Sequence, residues 1–169
     1  DKVERGEALV IATQALQMEL GERILRLNTA LGYRIERQEA DTFRVRLPAE
    51  MRLLSVKGAN IREWTAENNV LTVRLHSAVM DNYALALRFE RILEQTPEVL
   101  EAPFPATLNT LREDGYVALT NEPALRVRVD SSTGLSQIDP RELPEGLRPA
   151  RLLAAFRYLA HPLALKLRI

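Results

Sequence analysis

Apolar side chains fall on every second residue in six separate stretches of this chain, and a period of two fits a β-strand with one buried face and one wet face. Thr42–Leu47 puts Phe43, Val45 and Leu47 on one side and Arg44 and Arg46 on the other. Leu71, Val73 and Leu75 alternate with Thr72 and Arg74; Leu85, Leu87 and Phe89 alternate with Ala86 and Arg88. The same pattern runs through Leu31–Ile35, Leu125–Val129 and Leu165–Ile169. Several short strands punctuated by turn residues point to sheet packed on sheet. The expected fold class is therefore all-β, mainly antiparallel: a β-sandwich with at most one or two short helices.

Turn chemistry falls between the runs. Asn68-Asn69 tolerates positive φ and separates the Trp64 segment from Leu71–Leu75. Asp81-Asn82 is expected to turn the chain before Leu85, Lys57-Gly58 after Leu53–Val56, and Asp114-Gly115 before Tyr116–Leu119. Pro48 stops the ladder after Leu47, because it has no N–H to donate. Two stretches also fit helical spacing. Within residues 8–31, Leu9, Leu16, Leu20, Ile24, Leu27 and Leu31 could share a helix face, but Gly21 and the β-branched Val10, Ile11 and Thr13 turn the reading toward strands. In residues 150–160, Leu152, Phe156 and Leu159 fit helix and strand alike.

Residues 1–95 read as a first β-sandwich half and 96–169 as a second β-rich half packed on it. The join is a proline-containing crossover at 96–105 with Pro97, Pro103 and Pro105. The start at Asp1, with no leader, and the strand-like finish at Leu163–Ile169 read as the edges of a piece of a longer protein.

Composition removes several classes of function. No cysteine is present, which excludes disulfides, thiolate nucleophiles and thiolate-held metals. The 23 basic and 23 acidic residues cancel, leaving no electrostatic drive toward nucleic acid. No apolar run approaches the roughly 20 residues of a membrane span, so no direct membrane insertion is expected. The phosphate-cradling glycine loops and the nucleophile elbow are missing, and no cofactor is expected.

His76 and His161 lie far apart and read as strand-end histidines facing solvent. Asp139 and Glu142 look like turn and cap residues of a proline-bounded loop. The loop Asp130–Gly134 carries oxygens but one acid, which favours an Asx or Ser/Thr turn over calcium. The outward arginines Arg44, Arg46, Arg74, Arg88, Arg126 and Arg128 read as an ordinary solvated face. Phe43, Phe89, Tyr83 and the single tryptophan, Trp64, fall at core positions. The candidate ligand or partner surface consists of Trp64, Tyr116, Arg126 and Arg128; no catalytic residue is expected.

The succession Phe43-Arg-Val-Arg-Leu-Pro48, Leu54-Ser-Val56, Trp64 and Leu71-Thr-Val-Arg-Leu75 resembles a recurring segment of large bacterial cell-envelope proteins of unknown function. Gly115-Tyr-Val117, Ile138-Asp-Pro140, Glu142-Leu-Pro144 and Ala155-Phe-Arg-Tyr158 are similar to a companion segment of the same proteins. The resemblance implies a non-catalytic, extracytoplasmic β-sandwich ectodomain segment within a larger chain. Its partners would be proteins or neighbouring domains of that chain. A carbohydrate- or glycan-binding accessory domain is the alternative.

Overall fold

The computed structural model describes residues 8–149 and 151–169. Residues 1–7 of the first expected half, and residue 150 of the ambiguous 150–160 stretch, lie outside the described residues. The chain is almost entirely strand. Helix occurs among the described residues only as two 3-10 turns, Pro140–Glu142 and Glu145–Leu147. Within residues 8–31, Leu9–Leu20 and the chain from Ile24 onward are strand, as the β-branched residues suggested, and so is Ala154–Tyr158.

A nine-stranded sheet is built on β1 (Leu9–Leu20), β2 (Ile24–Arg46), β3 (Arg52–Gly58), β4 (Ile61–Glu67) and β5 (Val70–Ile92). β7 (Ala106–Leu108), β8 (Arg112–Asn121), β10 (Ser136–Gln137) and β11 (Ala154–Tyr158) extend it. Residues on both sides of the 96–105 crossover thus share one sheet, in the order β10-β11-β8-β1-β2-β5-β3, with β4 on β5 and β7 on β2. β6 (Val99–Glu101), β12 (Ala164–Arg168) and β9 (Arg128–Thr133) form a second, three-stranded sheet. Among the described residues one pairing is parallel: β8 runs alongside β1, matching Ala15 to Tyr116.

The large sheet folds back on itself. Ten residues of straight strand span about 33 Å, yet the Tyr33 and Phe43 rings of β2 stand 4.6 Å apart, and Phe43 stacks on Tyr83 of β5 at 4.8 Å. Each long strand must therefore bend. The β2–β5 register shifts between Ile35 and Thr42, where Arg37 and Asp81 both take positive φ. Asp81-Asn82 is accordingly not an inter-strand turn: it lies within β5, and Asp81 supplies a bulge. Asn68 and Asn69, both at positive φ, do make the expected tight turn from β4 to β5.

The bend faces the alternating apolar residues toward one another. Leu25, Leu27, Leu31, Phe43 and Val45 of β2 and Leu71, Val73, Leu85, Leu87 and Phe89 of β5 all point into one core. Leu100, Leu165 and Leu167 of the small sheet close it. A second, smaller cluster lies on the other side of β8 and β11, where Leu143 and Leu147 of the proline-rich loop cover Ala118 and Ala155.

Three other sequence expectations change. Lys57-Gly58 is the end of β3 rather than a turn, and the chain turns at Ala59-Asn60. Leu125–Val129 is strand only from Arg128 onward, so its alternation is incidental at Leu125–Val127. Asp114-Gly115 is not a turn but part of β8. Gly115 is required there by close approach, because an added Cβ would stand 2.4 Å from the Gln14 carbonyl oxygen.

Candidate functional site

The feature that alternation leaves unexplained is a buried acid. Glu113 sits on β8 in phase with Val117 and Leu119, so the strand drives its carboxylate inward, where it is only 6% exposed. A carboxylate there must be surrounded by donors. Thr107 of β7 supplies its backbone N–H at 2.7 Å and its hydroxyl at 2.9 Å, both to Oε1. Oε2 accepts from the Tyr158 hydroxyl and, at 2.7 Å, meets Nε2 of His161. Gln14 of β1 gives a longer contact at 3.3 Å.

The network continues outward. Gln14 also donates to the Tyr158 hydroxyl at 2.9 Å and to the Pro105 carbonyl at 3.2 Å, while its own oxygen accepts from Thr29 of β2 at 2.7 Å. Gln14, like Glu113, is a polar residue on an otherwise apolar strand face, between Ala12 and Leu16.

Protonation follows from this geometry. Burial works to raise Glu113, but hydrogen bonds from His161, Tyr158 and Thr107 outweigh it and hold the carboxyl below its ordinary range. Burial, then the Glu113 charge, pushes the Tyr158 hydroxyl far up, so it remains a donor. With Glu113 ionised both its oxygens can only accept, and the facing Nε2 of His161 carries the proton. The arrangement can hold a charge, fix a histidine and tie together five strands, β1, β2, β7, β8 and β11. A metal centre needs three or more ligands, and no three His, Asp or Glu side chains are so grouped among the described residues.

The sequence-derived candidates scatter. Trp64 is not a core residue: it is 43% exposed on β4, which among the described residues pairs only with β5 and is wet on both faces. Tyr116 is half-buried on the outer face of β8, with the Arg157 guanidinium 5.2 Å over its ring and bonded to its hydroxyl at 3.2 Å. In strand order β1, β2 and β5 separate it from β4 and Trp64. Arg126 and Arg128 are exposed and share a groove of about 310 Å³ with Arg168 on the small sheet. The structure thus brings the two arginines together and places them apart from both aromatics.

Other expected positions have plain roles. His76 is exposed and its backbone N–H donates to the Asn60 carbonyl at 2.9 Å, whereas His161 is not a solvent-facing strand end, since Glu113 captures its ring. Asp130–Thr133 is strand rather than loop, with Asp130 paired to Arg168 at 3.4 Å and the turn confined to Gly134. Asp139 and Glu142 form a reciprocal cap on the first 3-10 turn, and the Arg141 side chain lowers Asp139 to about 2. A groove of about 890 Å³ crosses the outer face over Ile11, Thr13, Gly32, Arg34, Asn82 and Arg112.

Sequence reasoning missed Glu113, Gln14, Tyr158 and His161 as a unit. Glu113 and Gln14 carried a usable signal, being polar residues in phase with a buried face. His161, in a connection without period, carried none.

No protein-family model and no curated protein matches this chain. Solved structures do. An M1 zinc metallopeptidase mutant from Deinococcus radiodurans bound to a Tyr-Ser-Ala substrate shares 11% identity at a TM-score of 0.57, over 96% of this chain and 43% of that one. A two-domain M1 zinc metallopeptidase mutant bound to L-tryptophan gives a TM-score of 0.58 at 11% identity, with the same coverage of both chains. The M1 zinc metallopeptidase from D. radiodurans gives 0.55 at 12% identity, over 96% of this chain and 42% of that one. This chain spans less than half the length of those neighbours, and what it shares with them, at such identity, is the fold.

Proposed function

We propose that this chain is a non-catalytic β-domain that supports a neighbouring domain within a larger, zinc-metallopeptidase-like polypeptide. The observation that carries the reading is the partial overlap: nearly all of this fold superposes on less than half of chains described as two-domain zinc metallopeptidases. In this reading the metal and the peptide-cleaving groups belong to the other part of such a chain. Glu113 and His161 then serve the fold rather than a substrate. The proposed compartment, outside the cytoplasm, rests on the sequence resemblance to envelope proteins alone.

A glycan-binding role gains one exposed aromatic, Trp64, but a sugar platform needs several on one face, and Tyr116 stands across the sheet beneath Arg157. The test is to assay zinc content and hydrolysis of Tyr-Ser-Ala for this chain alone and for the longest natural polypeptide that contains it. The longer protein should bind zinc and cleave the peptide while this chain does neither. Cleavage by this chain, or a longer protein with neither zinc nor activity, overturns the reading.

A further inference from the structure

The two sheets share no ladder among the described residues. One two-stranded ribbon nevertheless passes between them. β9 pairs with β12 in the small sheet, and their continuations β10 and β11 pair in the large one. The ribbon turns its corner at Gly134–Leu135 on one strand and at residues 159–163 on the other. The corner is tight: Gly134 has φ 76°, and a Cβ there would stand 2.6 Å from the Pro162 carbonyl oxygen. His161 belongs to this corner, and its ring is held by Glu113 of the large sheet at 2.7 Å.

We infer that the Glu113 carboxylate is an acid-releasable lock on the corner that joins the two sheets. A carboxylate offers about four acceptor sites. Here two donors from Thr107, one from Tyr158 and one from His161 fill them, with Gln14 as a longer fifth. A proton on Glu113 would take one of these sites and turn one oxygen into a donor facing other donors. His161 is the partner with an alternative, because it alone is partly open to water, at 25% side-chain exposure. The corner would therefore loosen first, followed by β12, whose Leu165 and Leu167 it holds against the core.

Apart from its partner His161, the groups around Glu113 leave it as the titrating member. Gln14 from β1 and Thr107 from β7 are neutral, and burial pushes the phenols of Tyr33 from β2 and Tyr158 from β11 well up. Asp114, next along β8, is engaged by Thr13 at 3.0 Å and Arg157 at 3.5 Å.

Native-state amide hydrogen exchange tests the lock, using wild type and Glu113→Gln from about pH 7 down to about pH 3. In wild type, acid should cost the residue 159–168 amides roughly ten- to a hundredfold in protection, the worth of hydrogen bonds to a charged group. The ladder between Leu25–Leu31 and β5 should hold. Glu113→Gln should show the lowered corner protection already at neutral pH, with no further selective loss. Even loss over both sheets, or a variant that keeps the wild-type pH pattern, overturns the lock. Should the variant fail to fold, wild type suffices: the carboxyl carbon of Glu113 and the corner amides must titrate together by NMR, and separate midpoints refute the idea.

Discussion

The ladder between β2 and β5 and the ladder between β1 and β8 hold their registers by different means. In the first, the inward positions are apolar except for Thr29 and most outward positions are wet, so a one-residue slip would bury Arg88 and expose Phe89. In the second, Val117 to Thr120 are buried on both faces, so burial alone penalises a slip less. Glu113 removes that freedom, because only one register points its carboxylate at Thr107, Tyr158 and His161. Hydrophobic burial specifies one ladder; a satisfied polar cluster specifies the other.

The largest expected effect breaks the apolar side of this comparison. Phe89→Ala removes a ring that is 1% exposed, between the Leu27 and Leu53 positions of its neighbours, and should cost about 3–5 kcal/mol by denaturant titration. Tyr158→Phe strikes the polar side. It deletes one hydroxyl and leaves both Glu113 and Gln14 short of a partner, for about 1.5–3 kcal/mol.

The pH dependence separates the two variants further. Because Glu113 is lowered in the folded state, it stabilises the fold above its unfolded pKa, and that contribution is lost as pH falls through the folded value. Tyr158→Phe removes one of the hydrogen bonds that lower it, so the acid limb of the stability curve should become shallower. Phe89→Ala should leave its shape alone.

Two glycines sharpen the contrast at smaller scale. Gly115→Ala would press a methyl group against the Gln14 backbone and the Tyr158 ring at 2.8 Å, and should cost about 1–3 kcal/mol. Gly32→Ala, on the outer face of β2, meets nothing nearer than the Thr13 carbonyl at 3.8 Å. It should stabilise by about 0.5–1 kcal/mol in the same titration. Smallest of all, Trp64→Ala should stay within about 0.5 kcal/mol, and wild-type emission should be that of a partly wet indole.

Much of the large sheet was legible because a period of two is a local signal. Phe43, Val45, Leu71, Val73, Leu85 and Phe89 needed no knowledge of their neighbours to be assigned inward. The same reasoning misplaced Trp64, since alternation says which side a residue faces but not whether that side of an edge strand is covered. It also read Asp81 and Gly115 as turns, because residues that permit a turn equally permit a bulge or a close approach.

By itself, the sequence determined the alternating segments that lie within β2, β5 and β12, the apolar face of each and the Asn68-Asn69 turn, all consequences of side chains within a few residues of one another. Only the tertiary structure decided that β2 and β5 fold over, that β8 lies parallel to β1, and that Glu113 meets His161 across 48 residues of chain. Those outcomes depend on which distant groups can satisfy a buried charge, and no local pattern encodes that meeting.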